Sequence, residues 1–184
     1  MKLNYSIIEN LGINAKKAAS KLANIHNDKK NKALEYLKKD LKMLSSELIK
    51  INKMDIENAH SMKLPLTIIN RLTLNENRIE GMITSLDEII TLKDPIGIVL
   101  SEWDRPNGLH IQKISVPLGV IAIIYESRPN VTVDASAIAL KAENAVILRG
   151  GKDSFHSSQK LNMVINDAFS KAGLPDNTVQ MVPV

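Results

Sequence analysis

Two short stretches carry the side chains that could do chemistry. Arg149-Gly150-Gly151-Lys152 sets two cations around two glycines, and Glu126-Ser127-Arg128-Pro129-Asn130 places an acid, a base and a carboxamide close together. Glycines let a ligand approach the backbone. Cations, and the N–H groups of a helix starting just after them, favour phosphate. The first stretch therefore reads either as a phosphate site or as a glycine turn with solvated charges. It is not the usual dinucleotide fingerprint, because G-x-G-x-x-G is absent. In the second stretch, Glu126 and Arg128 either pair with each other or face a ligand. Asn130 could donate a side-chain N–H to a developing oxyanion.

Other chemistry is set aside on residue type and spacing. The chain has no cysteine, which excludes disulfides, thiolate metal sites and a cysteine nucleophile among these residues. His26, His60, His110 and His156 show no i, i+4 spacing, so no metal site is expected. Ser154-Phe155-His156-Ser157 puts serine beside histidine, but neighbours on a helix point in different directions, so no nucleophile–base pair is expected. Asp104-Arg105 reads as turn chemistry.

The two stretches need strands to hold them. "GVIAIIY" (Gly119–Tyr125) is continuously apolar and predicts a strand buried on both faces of a parallel sheet. Residues Thr132–Glu143 predict a short helix capped by Thr132. Asn144–Gly150 predicts a second buried strand. Asp153–Gly173 predicts a helix stopped by Gly173 and Pro175, and Asn177–Val184 a third strand. This β-α-β-α-β order makes a parallel sheet with right-handed crossovers. Ligands of such sheets bind beyond the carboxyl ends of the strands, where both stretches fall.

Residues 1–94 are helical in pattern. Ile7, Leu11, Ala15, Ala18, Leu22 and Ile25 recur at helical spacing. Behind an Asn27-Asp28 cap, Leu34, Leu37, Leu41, Leu44 and Leu48 form one stripe, which predicts a single long helix laid against a domain. A further helix starts at Asn75 or Asn77, runs through Ile79, Met82, Ile83, Leu86 and Ile90, and ends before Asp94-Pro95. Residues 95–117 predict a hairpin, Ile96–Ser101 and Leu109–Val116, turning at Arg105-Pro106-Asn107-Gly108. The fold class is therefore α/β: N-terminal helices and a β-hairpin, then a partial doubly wound parallel sheet over residues 118–184.

The 184 residues amount to one domain or one large piece of a bigger protein. Hydrophobic residues make up 44% and aromatics only 3%, so the core is aliphatic. Net charge is +4 and the pI about 9.2. The pairs Lys16-Lys17, Lys29-Lys30 and Lys38-Lys39 read as solvated helix faces. Without aromatic interleaving, no nucleic-acid surface is expected. No signal-like start and no apolar run of spanning length is seen, so a soluble, cytoplasmic chain without a membrane partner is expected.

"VPLGVIAIIYESRPNVTVDASAIALKAENAVILRGGK" resembles the signature region of the gamma-glutamyl phosphate reductases, members of the aldehyde dehydrogenase superfamily. The helical start and "LDEIITLKDPIG" are similar to that family's N-terminal region. The resemblance implies reduction of L-glutamyl 5-phosphate with NADPH to glutamate 5-semialdehyde, a step of proline synthesis. It implies that Arg149, at the end of the second strand, holds the adenosine ribose beside Gly150 and Gly151. Lys152 stands where several NAD-using relatives carry an acid, which suits the 2′-phosphate of NADP(H). Glu126, Ser127 and Arg128 then face the substrate. Asn130 corresponds to the superfamily's oxyanion asparagine, whereas an ungapped alignment puts Glu126 there.

The same resemblance places the nucleophile outside this chain. The family uses a cysteine of a following catalytic domain to displace phosphate and form a thioester. These residues then amount to the N-terminal portion, with the hairpin and first helices in the oligomerisation arm and outer layer. Alone, the portion is expected to be inactive and to self-associate through its open sheet. A separately encoded C-terminal half is the partner this implies. The alternative is a non-catalytic nucleotide-binding or interaction remnant of a split or decayed gene.

Overall fold

The computed structural model describes residues 5–183. Five helices come first: α1 (Tyr5–Leu22), α2 (Asn27–Met43), α3 (Ser45–Ser61), α4 (Leu66–Leu72) and α5 (Glu76–Thr91). An antiparallel ribbon follows, β1 (Val99–Asp104) with β2 (His110–Ile114). Then come β3 (Val120–Ile124), α6 (Asn130–Lys141), β4 (Ala145–Arg149), a 3₁₀ turn at Lys152–Ser154, α7 (Phe155–Lys171) and β5 (Val179–Met181). Strands β3, β4 and β5 form a parallel sheet in that order. This is the α/β arrangement expected from the sequence.

The helical stripes fall on buried faces. Ala15, Ala18, Ala19 and Leu22 of α1 are buried. Leu34, Leu37, Leu41 and Leu48 are buried too, but on two helices rather than one. The backbone leaves helical geometry at Leu44 (φ −96°, ψ 9°), just before Ser45 and Ser46. Serine hydroxyls compete with the backbone inside helices and favour such ends. The N-cap of α2 is His26, whose Nδ1 accepts from the Asp28 amide at 3.4 Å; Asn27 is already helical. Asn75 caps α5 as expected, accepting from the Arg78 amide at 2.9 Å. The N-cap of α6 is Pro129, with Thr132 one turn inside.

The hairpin turns where expected. Gly108 has φ +84°, and the Arg105 amide donates to the Leu109 carbonyl at 2.9 Å. Its first strand is Val99–Asp104 rather than Ile96–Ser101, because Gly97 (φ +77°) bends the chain ahead of it. Asp104 sits at the strand end, 2.7 Å from His110 Nδ1 across the ribbon, and does not close the turn.

Buried side chains of α1, α2, α3, α5, α6, β4, α7 and β5 make one core. β4 lies at its centre: neighbouring Ala145 and Val146 are both fully buried, so both of its faces are covered. Strand β3 departs from expectation. Alternate residues of it are exposed, with Ile124 77% exposed, because one of its two faces is left uncovered by the described residues. Ahead of β4 in the chain, Glu143 bonds fully buried Lys30 of α2 at 2.9 Å, and Lys30 also bonds Asp94 at 2.7 Å. Burial pushes the Asp94 carboxyl up, but the Lys30 bond and the Ile96 amide outweigh it and hold the carboxyl below its ordinary value.

Candidate functional site

The two loops leave the sheet side by side. Ile124 and Arg149 are register partners, and the Tyr125 amide donates to the Arg149 carbonyl at 3.1 Å. The Tyr125 ring is buried, its hydroxyl 2.7 Å from Thr132 Oγ1. Burial pushes the phenol up, against hydrogen bonds with Thr132 and Ser158. A Cβ on Gly150 would stand 3.3 Å from the Tyr125 hydroxyl and 3.5 Å from Ser158 Oγ, so the glycine makes room for the ring. A Cβ on Gly151 would collide with the Asp153 carboxylate. Ser127, at φ +49°, donates its hydroxyl to that same carboxylate and ties the loops together.

The cations of the second loop are unclaimed. Arg149 reaches only the neighbouring Gly150 carbonyl, at 3.3 Å, and Lys152 is exposed. Among the described residues neither forms an ion pair. The N-terminus of α7, in contrast, is taken. Buried Asp55 of α3 accepts from the amides of His156 (3.1 Å) and Ser157 (2.8 Å) and from the Ser157 hydroxyl (2.6 Å). This corrects the sequence reading, in which that helix end was to attract phosphate. A protein carboxylate already neutralises it. The same bonds fix Ser157 as a structural group, so no serine–histidine dyad forms here. Asn52, one turn before Asp55, donates to Ser157 Oγ and the Leu72 carbonyl, each at 2.9 Å, and accepts from the Leu74 amide at 2.7 Å. It thereby locks α3 to α7 and to the α4–α5 turn.

The first loop opens onto a different feature. Glu126 and Arg128 are both exposed and do not pair with each other, so the internal salt bridge is not formed. Arg128 instead lines a cleft of about 530 Å³, together with Arg71, Arg78, Asn130 and Asp134. Asn130 Nδ2 donates to Asp134 Oδ2 at 3.1 Å, which orients the carboxamide. Asp134 Oδ1 is buried without a partner. Burial pushes the Asp134 carboxyl up, against the Asn130 bond. Arg78 is braced on the carbonyls of Arg71 (3.1 Å) and Thr73 (2.9 Å).

The structure thus brings Glu126, Ser127, Gly150, Gly151, Lys152 and Arg149 to one end of the sheet, with Arg128 and Asn130 turned to the cleft. Sequence reasoning missed Arg71, Arg78, Asp55 and Asp134. Asp134 was within reach, since i, i+4 polar pairs on a helix touch. The others come from distant helices and carry no local signal.

No protein-family model matches the chain. The gamma-glutamyl phosphate reductase of Bartonella henselae is 47% identical over 175 residues, which is 95% of this chain and 42% of that protein. That of Brucella suis is 45% identical over 178 residues, 97% of this chain and 42% of that protein. The chain matches the N-terminal portion of the gamma-glutamyl phosphate reductases. The crystal structure of gamma-glutamyl phosphate reductase from Thermotoga maritima matches with a TM-score of 0.91 at 36% identity, over 94% of this chain and 42% of that one. The Saccharomyces cerevisiae gamma-glutamyl phosphate reductase gives 0.90 at 29%, over 94% and 45%. A salicylaldehyde dehydrogenase from Pseudomonas putida shares the fold at a TM-score of 0.71 and 13% identity, over 96% and 34%. The chain spans less than half the length of the gamma-glutamyl phosphate reductases it matches. No described helix is long and apolar enough to cross a membrane.

Proposed function

We propose that the chain supplies the nucleotide-facing and substrate-facing loops of a cytoplasmic, NADPH-dependent reductase that converts L-glutamyl 5-phosphate to glutamate 5-semialdehyde in proline synthesis. The observation that carries this is the pair of unclaimed cations, Arg149 and Lys152, at the carboxyl end of β4, in a chain 47% identical to a reductase of that name. Arg149 would hold the adenosine ribose. Lys152 would pair with the 2′-phosphate, while Gly150 and Gly151, whose open sides are taken by Tyr125 and Asp153, let the loop pack so that both cations stand at its surface. The residues fit the nucleotide: the loop has two free cations, and no carboxylate stands at position 152 to repel a phosphate. NADPH, when bound, supplies the hydride that reduces the acyl carbon.

The other loop works on the substrate's side. Glu126 and Arg128 would face it, whereas buried Ser127 holds the loop to Asp153, and Asn130, oriented by Asp134, would offer an amide N–H to the oxygen on which charge develops. The chain holds no cysteine, so the thiol that the family uses lies outside these 184 residues. The remaining length of such a reductase, continuous with these residues or separately encoded, would supply it.

The test combines turnover with binding. The 184 residues alone should consume no NADPH with glutamyl phosphate. Adding the complementary portion of the Bartonella henselae reductase should start turnover. Calorimetry on the chain should show NADPH preferred over NADH, and Lys152→Glu should reverse the preference. Equal affinities for the two nucleotides would defeat the assignment of Lys152. Nucleotide binding with no turnover after complementation would favour a non-catalytic nucleotide-binding remnant.

A further inference from the structure

The largest concentration of unassigned charge is in the cleft between α5 and the start of α6. Three guanidiniums line it, each from a different segment: Arg71 of α4, Arg78 of α5 and Arg128 of the β3–α6 loop. None of them pairs with a carboxylate among the described residues. The acid on the wall, Asp134, is bonded to Asn130 and forms no ion pair with any of the three guanidiniums among the described residues. Arg78 is braced by two backbone carbonyls and so loses little freedom on binding. A guanidinium is a planar fork that matches a carboxylate. The volume, about 530 Å³, suits a small metabolite rather than a lone ion. The cleft also contains Asn130, so whatever it holds lies beside the oxyanion donor.

We propose that this cleft binds the carboxylate at the unreactive end of an amino-acid-derived acyl substrate, with Arg71, Arg78 and Arg128 as its clamp. The proposal rests on the reductase reading and adds to it the residues that select the substrate. A simple acyl phosphate lacking a distal carboxylate would leave the three cations unanswered and bind poorly. Recognition of the chain's far end thus falls to helices α4 and α5, while the loops handle the reacting end.

The probe is sodium L-glutamate, titrated into the 184-residue chain and followed by backbone amide shifts. Glutaramide, which has no carboxylate, and inorganic phosphate are the comparison probes. L-Glutamate should move amides near Arg71, Arg78, Arg128 and Asp134, with a Kd on the order of millimolar. Glutaramide should leave them unmoved, and raising ionic strength should weaken the glutamate response. Arg71→Gln should weaken binding by about five- to tenfold. Arg78→Gln should do at least as much. Because Arg78 also braces the α4–α5 turn, exposed Arg71 is the variant that leaves the fold intact, verified by an unchanged melt. Equal shifts with glutaramide, unaltered binding by Arg71→Gln, or no shift at all would overturn the proposal. Inorganic phosphate binding more tightly than glutamate would overturn it as well, assigning the clamp to a phosphoryl group. Failure of the reductase reading would show separately, as no turnover after complementation, and would leave the glutamate titration standing.

Discussion

Strands β3 and β4 are neighbours with similar sequences, "VIAII" and "AVILR", and opposite environments. Ala145, Val146 and Leu148 of β4 are fully buried, whereas Ile124 of β3 is 77% exposed. Helix α1 packs along β4, and α6 and α7 close the sheet behind it. Among the described residues β3 has a partner on one side alone. An apolar run therefore records that a strand is to be covered, but not whether these residues do the covering.

The largest predicted effect is on the buried side of this contrast. Lys30→Met would leave Asp94 and Glu143 facing each other without their cation at the entrance to β4. It should cost about 3–5 kcal/mol in denaturant unfolding. A loss below about 1 kcal/mol would show that the triad is solvated and that β4 is less enclosed than its burial suggests.

Truncating the two strands compares them directly. Leu148→Ala should cost about 3 kcal/mol through the cavity it leaves. Ile124→Ala should change stability by less than about 0.5 kcal/mol. Ile124 should matter instead for association, since open strand edges pair with other chains. In light scattering, Ile124→Lys should reduce oligomers of the chain without lowering its melting temperature. A monodisperse unmutated chain would show that β3 needs no cover.

The smallest effect concerns pH. The folded Asp134 carboxyl titrates above its unfolded counterpart, so folding favours the protonated form. Stability should fall as pH rises from the ordinary carboxylate value towards the folded one, and stay lowered above it. Asp134→Asn keeps the Asn130 contact and removes the charge. It should raise stability at neutral pH and leave it unchanged near pH 3. A gain independent of pH would mean that the carboxyl is neutral throughout.

Most of the architecture was legible in local pattern. The turn at Arg105–Gly108, the cap at Asn75, the stop at Gly173 and the β-α-β-α-β order each rest on neighbours in sequence, and all are present. The leucine stripe was legible as a face but not as two helices. The break at Leu44 preserves the spacing of buried positions, so periodicity passes over it. Helix α4 has seven residues, too few to show a period. At the site, Arg149-Gly150-Gly151-Lys152 and the Glu126–Asn130 loop could be read because each is one contiguous motif. The cap on α7 could not, since Asp55 and Ser157 lie 102 positions apart. The arginine cleft was hidden in the same way, because three separate segments contribute to it.

The Asp55 carboxylate has a consequence for how this loop can change over generations. It settles the electrostatics of α7 from the protein's interior, so the helix does not depend on a bound phosphate to hold its first turn. Lys152, exposed and without an ion-pair partner among the described residues, is not needed to hold that helix end. Substitutions there can be sampled at little cost in stability, so whatever position 152 contacts can change at one surface position while the scaffold beneath it stays fixed.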